Sequence, residues 1–478
     1  MKKMFMSALL LSLGFLYGCS TQNTQNELID EKPTTQVAED LSQSTEQDTV
    51  DDDKPSQEEI INLDFVKEHM NDEQYVLVDT RINDAYIGWK VNNISRGGHI
   101  PGAVDFSANW LDVEKENKDK ILQDALDTKG ITTGKDIILY DTEIANAEKV
   151  KTFLQGKGFE NIHIFDLSQW INDETLELEK YANYQMIVPA YIIKEIIDGA
   201  KPESFENAQT IKIVESSWGP ETESYLTGHI PTAFHIDTDS FEPPPAWMLD
   251  SDENLSQWAL KYGFNSNDTV IVTGNDQMAA YRLAIVLRYI GVSDVRVLNG
   301  GNDAWLAAGY KLDTDSIQPT AVNDFGANIP VNPDLVVTIP ELKEYLQKPE
   351  EYILVDNRGW DEFIGETSGY SYHDKKGRIP GAVFGYAGTE GSGDLNYYRN
   401  IDNTIRNQQE VEALWKSQNI DSQKHMMFMC GSGWRVAEVL TYANVYGYDN
   451  CSIYSDGWIG WSNDPNNPFE TGDPTATQ

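Results

Sequence analysis

Three stretches of this 478-residue chain repeat one series of motifs. Residues 75–81 read Tyr-Val-Leu-Val-Asp-Thr-Arg, residues 352–358 read Tyr-Ile-Leu-Val-Asp-Asn-Arg, and residues 211–217 carry a looser version. Each is an apolar strand that ends on a carboxylate. A Gly-His-Ile-Pro-like element, a second strand, a helix of apolar period and a last strand near a tryptophan follow each one. Strands that alternate with helices predict parallel sheets covered on both faces, so the fold class predicted is α/β, with three tandem domains of this kind.

The repeats also set the domain boundaries. We predict a first domain over residues 59–182, a second over residues 183–318 and a third over residues 333–473. The composition is adequate for ordered cores, since 40% of the residues are hydrophobic and 11% are aromatic. The formal net charge of −41 argues against nucleic acid and anionic membrane surfaces as partners. An anion site in such a chain has to be built locally from N–H groups and a few arginines.

The first residues predict export. Two lysines precede an apolar run over residues 4–16, which has the length of a secretory signal and not of a spanning helix. Residues 16–19 read Leu-Tyr-Gly-Cys and resemble the end of a bacterial lipoprotein signal. This resemblance implies a signal over residues 1–19, with Cys19 as the lipid-bearing first residue of the mature chain. The alternatives are ordinary cleavage near Gly18 and an uncleaved anchor.

Residues 20–58 contain few large apolar side chains and are rich in Thr, Gln, Ser, Asp and Glu. Such a segment cannot bury enough apolar surface to offset its chain entropy, so it is predicted to be a disordered acidic tether. We therefore expect an exported protein, lipid-anchored to a bacterial membrane on the cell surface or the periplasmic face. Its lipid would be its only contact with the membrane.

One motif of the third repeat has the residues of a nucleophilic site: Cys430-Gly431-Ser432-Gly433-Trp434-Arg435. It follows the apolar run Met426–Met429 and precedes a helical apolar period that Gly447 ends. A cysteine at such a junction faces backbone N–H groups and a helix N-terminus, which favour a thiolate nucleophile. Two glycines permit the tight curl that turns N–H groups inward as an anion cradle. The alternative is a buried structural cysteine in a glycine-rich turn.

These motifs together resemble the rhodanese superfamily of sulfurtransferases over most of residues 59–473. The resemblance is carried by the Asp-x-Arg strand ends, the Gly-His-Ile-Pro-Gly-Ala element, the Cys-Gly-Ser-Gly loop and the last Gly-Trp. Residues 360–365, 368–372 and 430–435 are most similar to exported members with three rhodanese domains. The resemblance implies a sulfurtransferase that needs no cofactor and no metal. The Cys-Gly-Ser-Gly opening also occurs in mercaptopyruvate sulfurtransferases, so it does not fix the sulfur donor.

The mechanism implied by the resemblance runs through Cys430. Its thiolate attacks the sulfane sulfur of a small anionic donor such as thiosulfate, and sulfite leaves. Loop N–H groups stabilise the resulting persulfide, and cyanide, a thiol or a protein thiol then accepts the sulfur. The expected substrate-binding residues are the rest of the loop and a strand-end arginine: Gly431, Ser432, Gly433, Trp434, Arg435 and Arg358.

Three of these side chains allow two interpretations each. Arg435 could pair with the anionic donor or form a salt bridge to a neighbouring carboxylate. Arg358 could orient the donor or pair with Asp356, and the structural pair is slightly favoured. Trp434 could be a hydrophobic lid or simply shield the loop.

The other two repeats lack the nucleophile. At the cysteine position they hold Asp141 and Gly274, so only the third domain is expected to be catalytic. Asp141 could take an acid–base role, but a solvated loop carboxylate is the favoured interpretation. His99 and His229 recur without ligand partners at suitable spacing, which favours turn-stabilising roles over metal binding.

Two other functions remain open on the sequence. A persulfide at Cys430 would also suit a non-catalytic, surface-anchored sulfur carrier or interaction module. Cysteine phosphatases of this fold use a Cys-x5-Arg loop, whereas four residues separate Cys430 from Arg435, so the loop is one residue too short to surround a phosphate comfortably. Cys451, which opens the last strand, is expected to remain a free thiol.

Overall fold

The computed structural model describes residues 60–92, 94–389 and 391–476. The predicted signal segment with Cys19 and the predicted tether lie outside these residues. Among the described helices, none has both the length and the apolar character that a membrane crossing requires.

The strands of the first domain are β1 (Ile60–Ile61), β2 (Tyr75–Asp79), β3 (Val104–Asp105), β4 (Asp136–Asp141) and β5 (Ile162–Asp166). Its helices are α1 (Leu63–His69), α2 (Asn83–Ile87), α3 (Lys118–Thr128), α4 (Ile144–Gly156) and α5 (Ser168–Ile171).

The strands of the second domain are β6 (Ile187–Val188), β7 (Ile211–Ser217), β8 (Phe234–Asp237), β9 (Thr269–Thr273) and β10 (Asp294–Leu298). Its helices are α6 (Ala190–Ile197), α7 (Asp252–Lys261), α8 (Gln277–Ile290) and α9 (Gly301–Ala307).

The strands of the third domain are β11 (Val336–Val337), β12 (Tyr352–Asp356), β13 (Val383–Phe384), β14 (His425–Met429) and β15 (Cys451–Tyr454). Its helices are α10 (Ile339–Tyr345), α11 (Trp360–Phe363), α12 (Gln408–Ser417), α13 (Trp434–Tyr446) and α14 (Gly457–Asn463).

The three sheets share one topology. Within the described residues each sheet has five strands, in the orders β1-β5-β4-β2-β3, β6-β10-β9-β7-β8 and β11-β15-β14-β12-β13. All strand pairs in them are parallel. The central strands β4, β9 and β14 are almost wholly buried, as expected where helices cover both faces of a parallel sheet. The predicted α/β fold with three tandem domains is confirmed.

The strand registers show which residues are equivalent in the three domains. A carboxylate at or near the end of the first long strand lies opposite the residue before the loop in three matching pairs: Asp79 with Tyr140, Glu215 with Thr273, and Asp356 with Met429. The next residue along the chain is therefore Asp141, Gly274 or Cys430. This geometry agrees with the alignment drawn from the sequence.

A tryptophan follows the last strand of each domain, and in the third domain there are two, Trp458 and Trp461. Trp170 and Trp305 each donate their ring N–H to a backbone carbonyl slightly further along the chain. In the third domain Trp461 makes this contact, whereas Trp458 donates to a carbonyl far earlier in the chain. Trp461, and not Trp458, is therefore the counterpart of Trp170 and Trp305. The sequence alone does not show which of the two tryptophans makes this hydrogen bond.

The second and third domains pack through matching helices. Nearly every residue of α8 and of α13 is buried, and each helix follows the loop position of its own sheet. Tyr281 and Tyr442 meet edge to face with ring centroids 5.3 Å apart, and Arg288 donates to Asn444 over 2.8 Å. This packing brings the N-terminus of α13, and with it the Cys430 loop, to the boundary between the two domains.

The first domain is fastened to the third by a buried charge cluster. Lys129 Nζ lies 2.7 Å from Asp105 and 2.5 Å from Glu410, and the lysine and Asp105 side chains are 1% exposed. Because such a charge is tolerated inside a protein only when it is paired, this cluster fixes how the two domains meet.

Candidate active site

Cys430 lies where strand β14 ends and helix α13 begins. Gly433 caps the helix with a φ of 94°, a left-handed conformation that glycine adopts without strain. This turn brings the Gly433 N–H to within hydrogen-bond reach of Cys430 Sγ, at 3.3 Å. The cysteine is 1% exposed, so its sulfur lies inside the curl of the loop.

The Cys430 loop has other backbone N–H groups that are not used in hydrogen bonds within the described protein. In the described part of the chain, four of them donate to no protein acceptor: Gly431, Ser432, Trp434 and Arg435. Two backbone carbonyls of the loop accept hydrogen bonds from helix α14. The backbone N–H of Trp458 donates to the Cys430 carbonyl over 2.8 Å, and that of Ile459 donates to the Gly431 carbonyl over 3.0 Å. Unpartnered N–H groups in the same loop as a buried sulfur are available to stabilise negative charge that develops there.

Arg435 is held by a buried carboxylate. Its Nη1 and Nη2 donate to Glu362 over 2.8 and 3.0 Å, and Nη2 also donates to the Tyr370 hydroxyl over 2.8 Å. Burial acts to raise the pKa of Glu362, but the Arg435 guanidinium outweighs it and the pKa lies below its usual value. Removal of one partner from such a buried pair costs about 3–5 kcal/mol, because it leaves a charge unpaired. Of the two roles weighed for Arg435, the structure shows the salt bridge.

Tyr370 closes one side of the loop. Any side chain at Gly431 would collide with the Tyr370 hydroxyl, so only glycine allows the tyrosine to approach this closely. Burial raises the pKa of Tyr370, which keeps its hydroxyl protonated near the sulfur. Gly431 is therefore required by the approach of Tyr370 as well as by the curl of the loop.

Arg358 is a structural residue in this geometry. It donates to Asp356 over 2.9 and 2.7 Å and to the Gly377 carbonyl over 2.8 Å, and it is wholly buried. Arg81 forms the same bidentate pair with Asp79 in the first domain, where there is no cysteine. The structure thus shows Arg358 in the pairing that the sequence favoured, with no exposed surface for a donor.

The second domain contributes two side chains that the sequence motifs did not reveal. Trp434 Nε1 donates to Glu242 over 2.8 Å, so this indole is tied to the neighbouring domain. Arg282, from α8, donates to the same carboxylate over 2.7 Å and to Ser455 over 2.7 Å. The only signal available in the sequence was a single arginine inside the otherwise largely apolar helical stretch 278–287.

An exposed aromatic surface adjoins the loop. Trp218 and Trp247 each donate their ring N–H to the same Asp239 oxygen over 3.1 Å, and Trp247 packs against Tyr372 with ring centroids 5.0 Å apart. Burial, followed by the charge of Cys430, raises the pKa of Tyr372. Trp218 is 62% exposed and Tyr372 is 54% exposed. We call these four residues (Trp218, Asp239, Trp247 and Tyr372) the aromatic mouth.

A cavity of about 850 Å³ in the third domain adjoins the residues that hold Arg435. It is lined by Glu362 and Tyr370 and by aromatic walls that include Trp360, Phe384 and Tyr386, but not by Cys430. This cavity therefore lies beside the Cys430 loop and is not lined by the cysteine.

Asp141, at the cysteine position of the first domain, is not the solvated carboxylate expected from the sequence. It is 1% exposed, accepts from Thr80 over 3.0 Å and from the Glu143 N–H over 2.8 Å. Burial raises its pKa to about 6. The expectation was wrong because Thr80 and the following turn enclose the carboxylate.

Gly274 occupies the cysteine position of the second domain. A Cβ atom at this residue would stand 2.6 Å from the Ser216 carbonyl oxygen, so the position has no room for a side chain.

The two recurring histidines stabilise their turns. His99 Nδ1 lies 2.8 Å from the Tyr86 carbonyl and its ring stacks on that tyrosine at 3.8 Å. His229 repeats both contacts with Tyr225, at 2.9 and 3.7 Å. The predicted turn-stabilising role of both histidines is confirmed.

Cys451 lies far from Cys430. Its strand partner is Met426, so Cys430 is four residues further along the neighbouring strand, roughly 14 Å away at the usual spacings. Neither cysteine forms a disulfide. Burial raises the pKa of the Cys451 thiol to about 12, although Arg288 and Asn444 oppose the shift.

Comparison with known proteins assigns this architecture to a class. The model of the rhodanese-like domain matches residues 62–170, 201–308 and 338–464. The chain is 36% identical over 397 residues to the thiosulfate sulfurtransferase YnjE of Escherichia coli, which covers 83% of this chain and 89% of that protein.

Solved structures of similar proteins cover almost the same span. The anaerobic ergothioneine biosynthesis enzyme of Chlorobium limicola, solved with trimethyl histidine, is 34% identical with a TM-score of 0.81, over 87% of this chain and 99% of that one. A structure of EanB, described as a cysteine persulfide in a tetrahedral intermediate state with ergothioneine, has the same identity and TM-score, over 87% of this chain and 100% of that one.

A cysteine cradled by N–H groups at the end of a parallel strand, in a chain with these relatives, defines an enzyme of the sulfurtransferase class. The chain belongs to the rhodanese family, and each of its three sheets is a rhodanese-like domain.

The raised pKa of Cys451 predicts that, of the two cysteines that the structure describes, only Cys430 reacts rapidly with alkylating agents in the folded protein. Since a thiol with a raised pKa forms thiolate only as the pH approaches 12, Cys451 stays protonated and slow to react at about pH 8. Peptide mapping after iodoacetamide treatment should find label on Cys430, and Cys451→Ala should turn over at close to the wild-type rate. Rapid labelling of Cys451, or a 430–451 disulfide in non-reducing maps, would show that this assignment is wrong.

Proposed function

We propose that this protein transfers sulfane sulfur from thiosulfate through a persulfide on Cys430. The observation that carries the proposal is the position of Cys430 Sγ, buried beneath the Gly433 N–H among loop N–H groups without protein partners. The Gly433 N–H already points at the sulfur on which the negative charge of a persulfide develops, and it is held there by the fold before the reaction starts.

The reaction has two halves that return the enzyme to its starting state. Cys430 sulfur forms a bond to the outer sulfur of thiosulfate while the S–S bond of the donor breaks, and the electron pair leaves with sulfite. An acceptor nucleophile such as cyanide or a thiol then attacks the outer sulfur of the persulfide, and the Cys430 thiolate is released.

The arrangement of Arg435 argues against phosphate ester hydrolysis by this loop. A phosphatase loop needs its arginine free to grip the phosphate oxygens, whereas here Glu362 takes both guanidinium nitrogens that could do so. Four residues between Cys430 and Arg435 also leave a shorter loop than the five of a Cys-x5-Arg site. The same buried pair leaves persulfide chemistry unimpeded, since the backbone supplies the donors.

Thiosulfate is expected to load Cys430 with one sulfur atom, visible as a mass increase of the peptide that contains it. Cys430→Ser should abolish both loading and turnover with cyanide, because a hydroxyl at that position forms no persulfide. Cys451→Ser is the matched control and should load like the wild type. A Cys430→Ser variant that still loads would refute the site. If thiosulfate loads Cys430 but no small acceptor is turned over, the protein is a sulfur carrier and not an enzyme.

A second acceptor is favoured by the aromatic mouth. Structures related to this chain bind trimethyl histidine or ergothioneine. Exposed indoles attract a trimethylammonium group through cation–π contact, and Asp239 adds a negative charge between them. The formal net charge of −41 also attracts a cationic acceptor more than an anionic one. The second candidate function is therefore transfer of the outer persulfide sulfur to trimethyl histidine: a ring carbon forms a bond to that sulfur, the S–S bond breaks, the Cys430 thiolate is released and the carbon loses its proton.

Replacement of Trp218 by alanine separates the two acceptors. The loss of one cation–π contact at an exposed site, on the order of 0.5–1 kcal/mol, should raise the KM for trimethyl histidine about two- to fivefold and leave turnover with cyanide unchanged. Trp360→Ala, at a partly exposed tryptophan outside the aromatic mouth, is the control. Turnover of cyanide by the wild type without any sulfur transfer to trimethyl histidine would remove the second candidate.

The anchoring of the protein is part of the same proposal and is supported by the sequence alone. Cys19, which lies outside the described residues, would carry the lipid, and residues 20–58 would link it to the three domains. Cys19→Ala should move the protein from the membrane fraction to the soluble fraction of the cell envelope, while Ser20→Ala should not. An unmodified Cys19 in mass spectra of the membrane-bound wild type would contradict this anchor.

A further inference from the structure

The catalytic loop is tied to the second domain by two buried side chains. Glu242 accepts the ring N–H of Trp434 over 2.8 Å, and its other oxygen accepts from Arg282 Nε over 2.7 Å. Arg282 also reaches into the third domain, where Nη2 donates to Ser455 Oγ over 2.7 Å. One ion pair of the second domain therefore contacts both the loop and the end of strand β15.

This pair is entirely enclosed. Arg282 is 0% exposed and Glu242 is 1% exposed. Burial raises the pKa of Glu242, and the Arg282 guanidinium and the Trp434 indole oppose that shift. A charged pair is retained in such a place only when its geometry is well satisfied, so each of its contacts is held firmly in position.

Arg282 also packs against the glycine that faces the sulfur. A Cβ atom built on Gly433 would stand 2.8 Å from Arg282 Nη1, so the guanidinium lies directly against this residue's backbone. Among the described residues, this buried Nη1 has no hydrogen-bond partner. The Gly433 N–H is the one that reaches Cys430 Sγ, at 3.3 Å.

We propose that Arg282 and Glu242 are positioning residues for the third domain's reaction, through which the second domain holds the Cys430 loop in its reactive curl. Arg282 supports Gly433 from behind, and Glu242 fixes Trp434 at the start of α13. The second domain has Gly274 at the position of the nucleophile, and in this proposal its role is to pack against the Cys430 loop of the third domain. The inference rests on the proposed function of Cys430 but concerns a different part of the molecule.

Two rates measured on the same variants test the proposal. The first is persulfide formation on Cys430 in a single turnover with thiosulfate, together with the KM for thiosulfate. The second is alkylation of Cys430 by iodoacetamide, which reports the loop geometry without any sulfur donor. If wild-type protein fails to form the persulfide, the proposed function fails, while the alkylation rates still test the positioning role.

Arg282→Met should slow persulfide formation roughly tenfold or more, as expected when one preorganised donor is misplaced, with a change in KM of less than about twofold. Arg282→Lys should recover part of the rate, since it restores the charge beside Glu242. Arg296→Met is the matched control, because Arg296 is a second-domain arginine that also pairs with a carboxylate and has an unbonded Nη1, but has no contact with the loop. It should leave both rates unchanged.

Trp434→Phe keeps the proposal testable if Arg282→Met does not fold, since it removes only the N–H that reaches Glu242. It should slow both rates, and Glu242→Gln combined with it should cost less than the sum of the two single changes. Three results would each overturn the positioning role. The first is wild-type rates of persulfide formation and alkylation in Trp434→Phe, and the second is an equal decrease of these rates in Arg282→Met and Arg296→Met. The third is an effect of Arg282→Met on the KM for thiosulfate alone.

Discussion

The buried pair of Arg435 and Glu362 decides how this site can work. The arginine of the loop points at a carboxylate and a tyrosine hydroxyl, so its charge is compensated before any substrate arrives. The negative charge of a persulfide must then be met by backbone N–H groups. This explains the two glycines of the loop, since one allows the left-handed turn at the start of α13 and the other admits Tyr370.

The three domains share a fold but differ in what occupies the loop position. In the first, Asp141 fills the space and is enclosed by Thr80, so a carboxylate replaces the anion that the third domain would hold. In the second, Gly274 leaves the position empty of any functional group. The helix that follows it, α8, packs on α13 of the third domain. Of the three equivalent positions, only that of the third domain holds a cysteine.

The sequence predicted the fold and the loop because both depend on local patterns. Repeated apolar strands fix the sheet, and the Cys430 motif places the cysteine at a strand-to-helix junction. The pairing of Arg358 was also foreseen, since its partner Asp356 is two residues away. Glu242 and Arg282 were missed because their contacts with the loop depend on how two domains pack, which no local pattern encodes. Asp141 was misjudged because it is the last residue of strand β4, and its burial depends on Thr80, a neighbour in space.

The central claim is that loop N–H groups, and not Arg435, hold the sulfur. A crystal structure of thiosulfate-treated protein tests it most directly. It should show one additional sulfur on Cys430 within hydrogen-bond distance of the N–H groups of Gly433 and its neighbours, with Arg435 still paired to Glu362. An Arg435 that has left Glu362 to contact the added sulfur, or an added sulfur on any other residue, would contradict the claim.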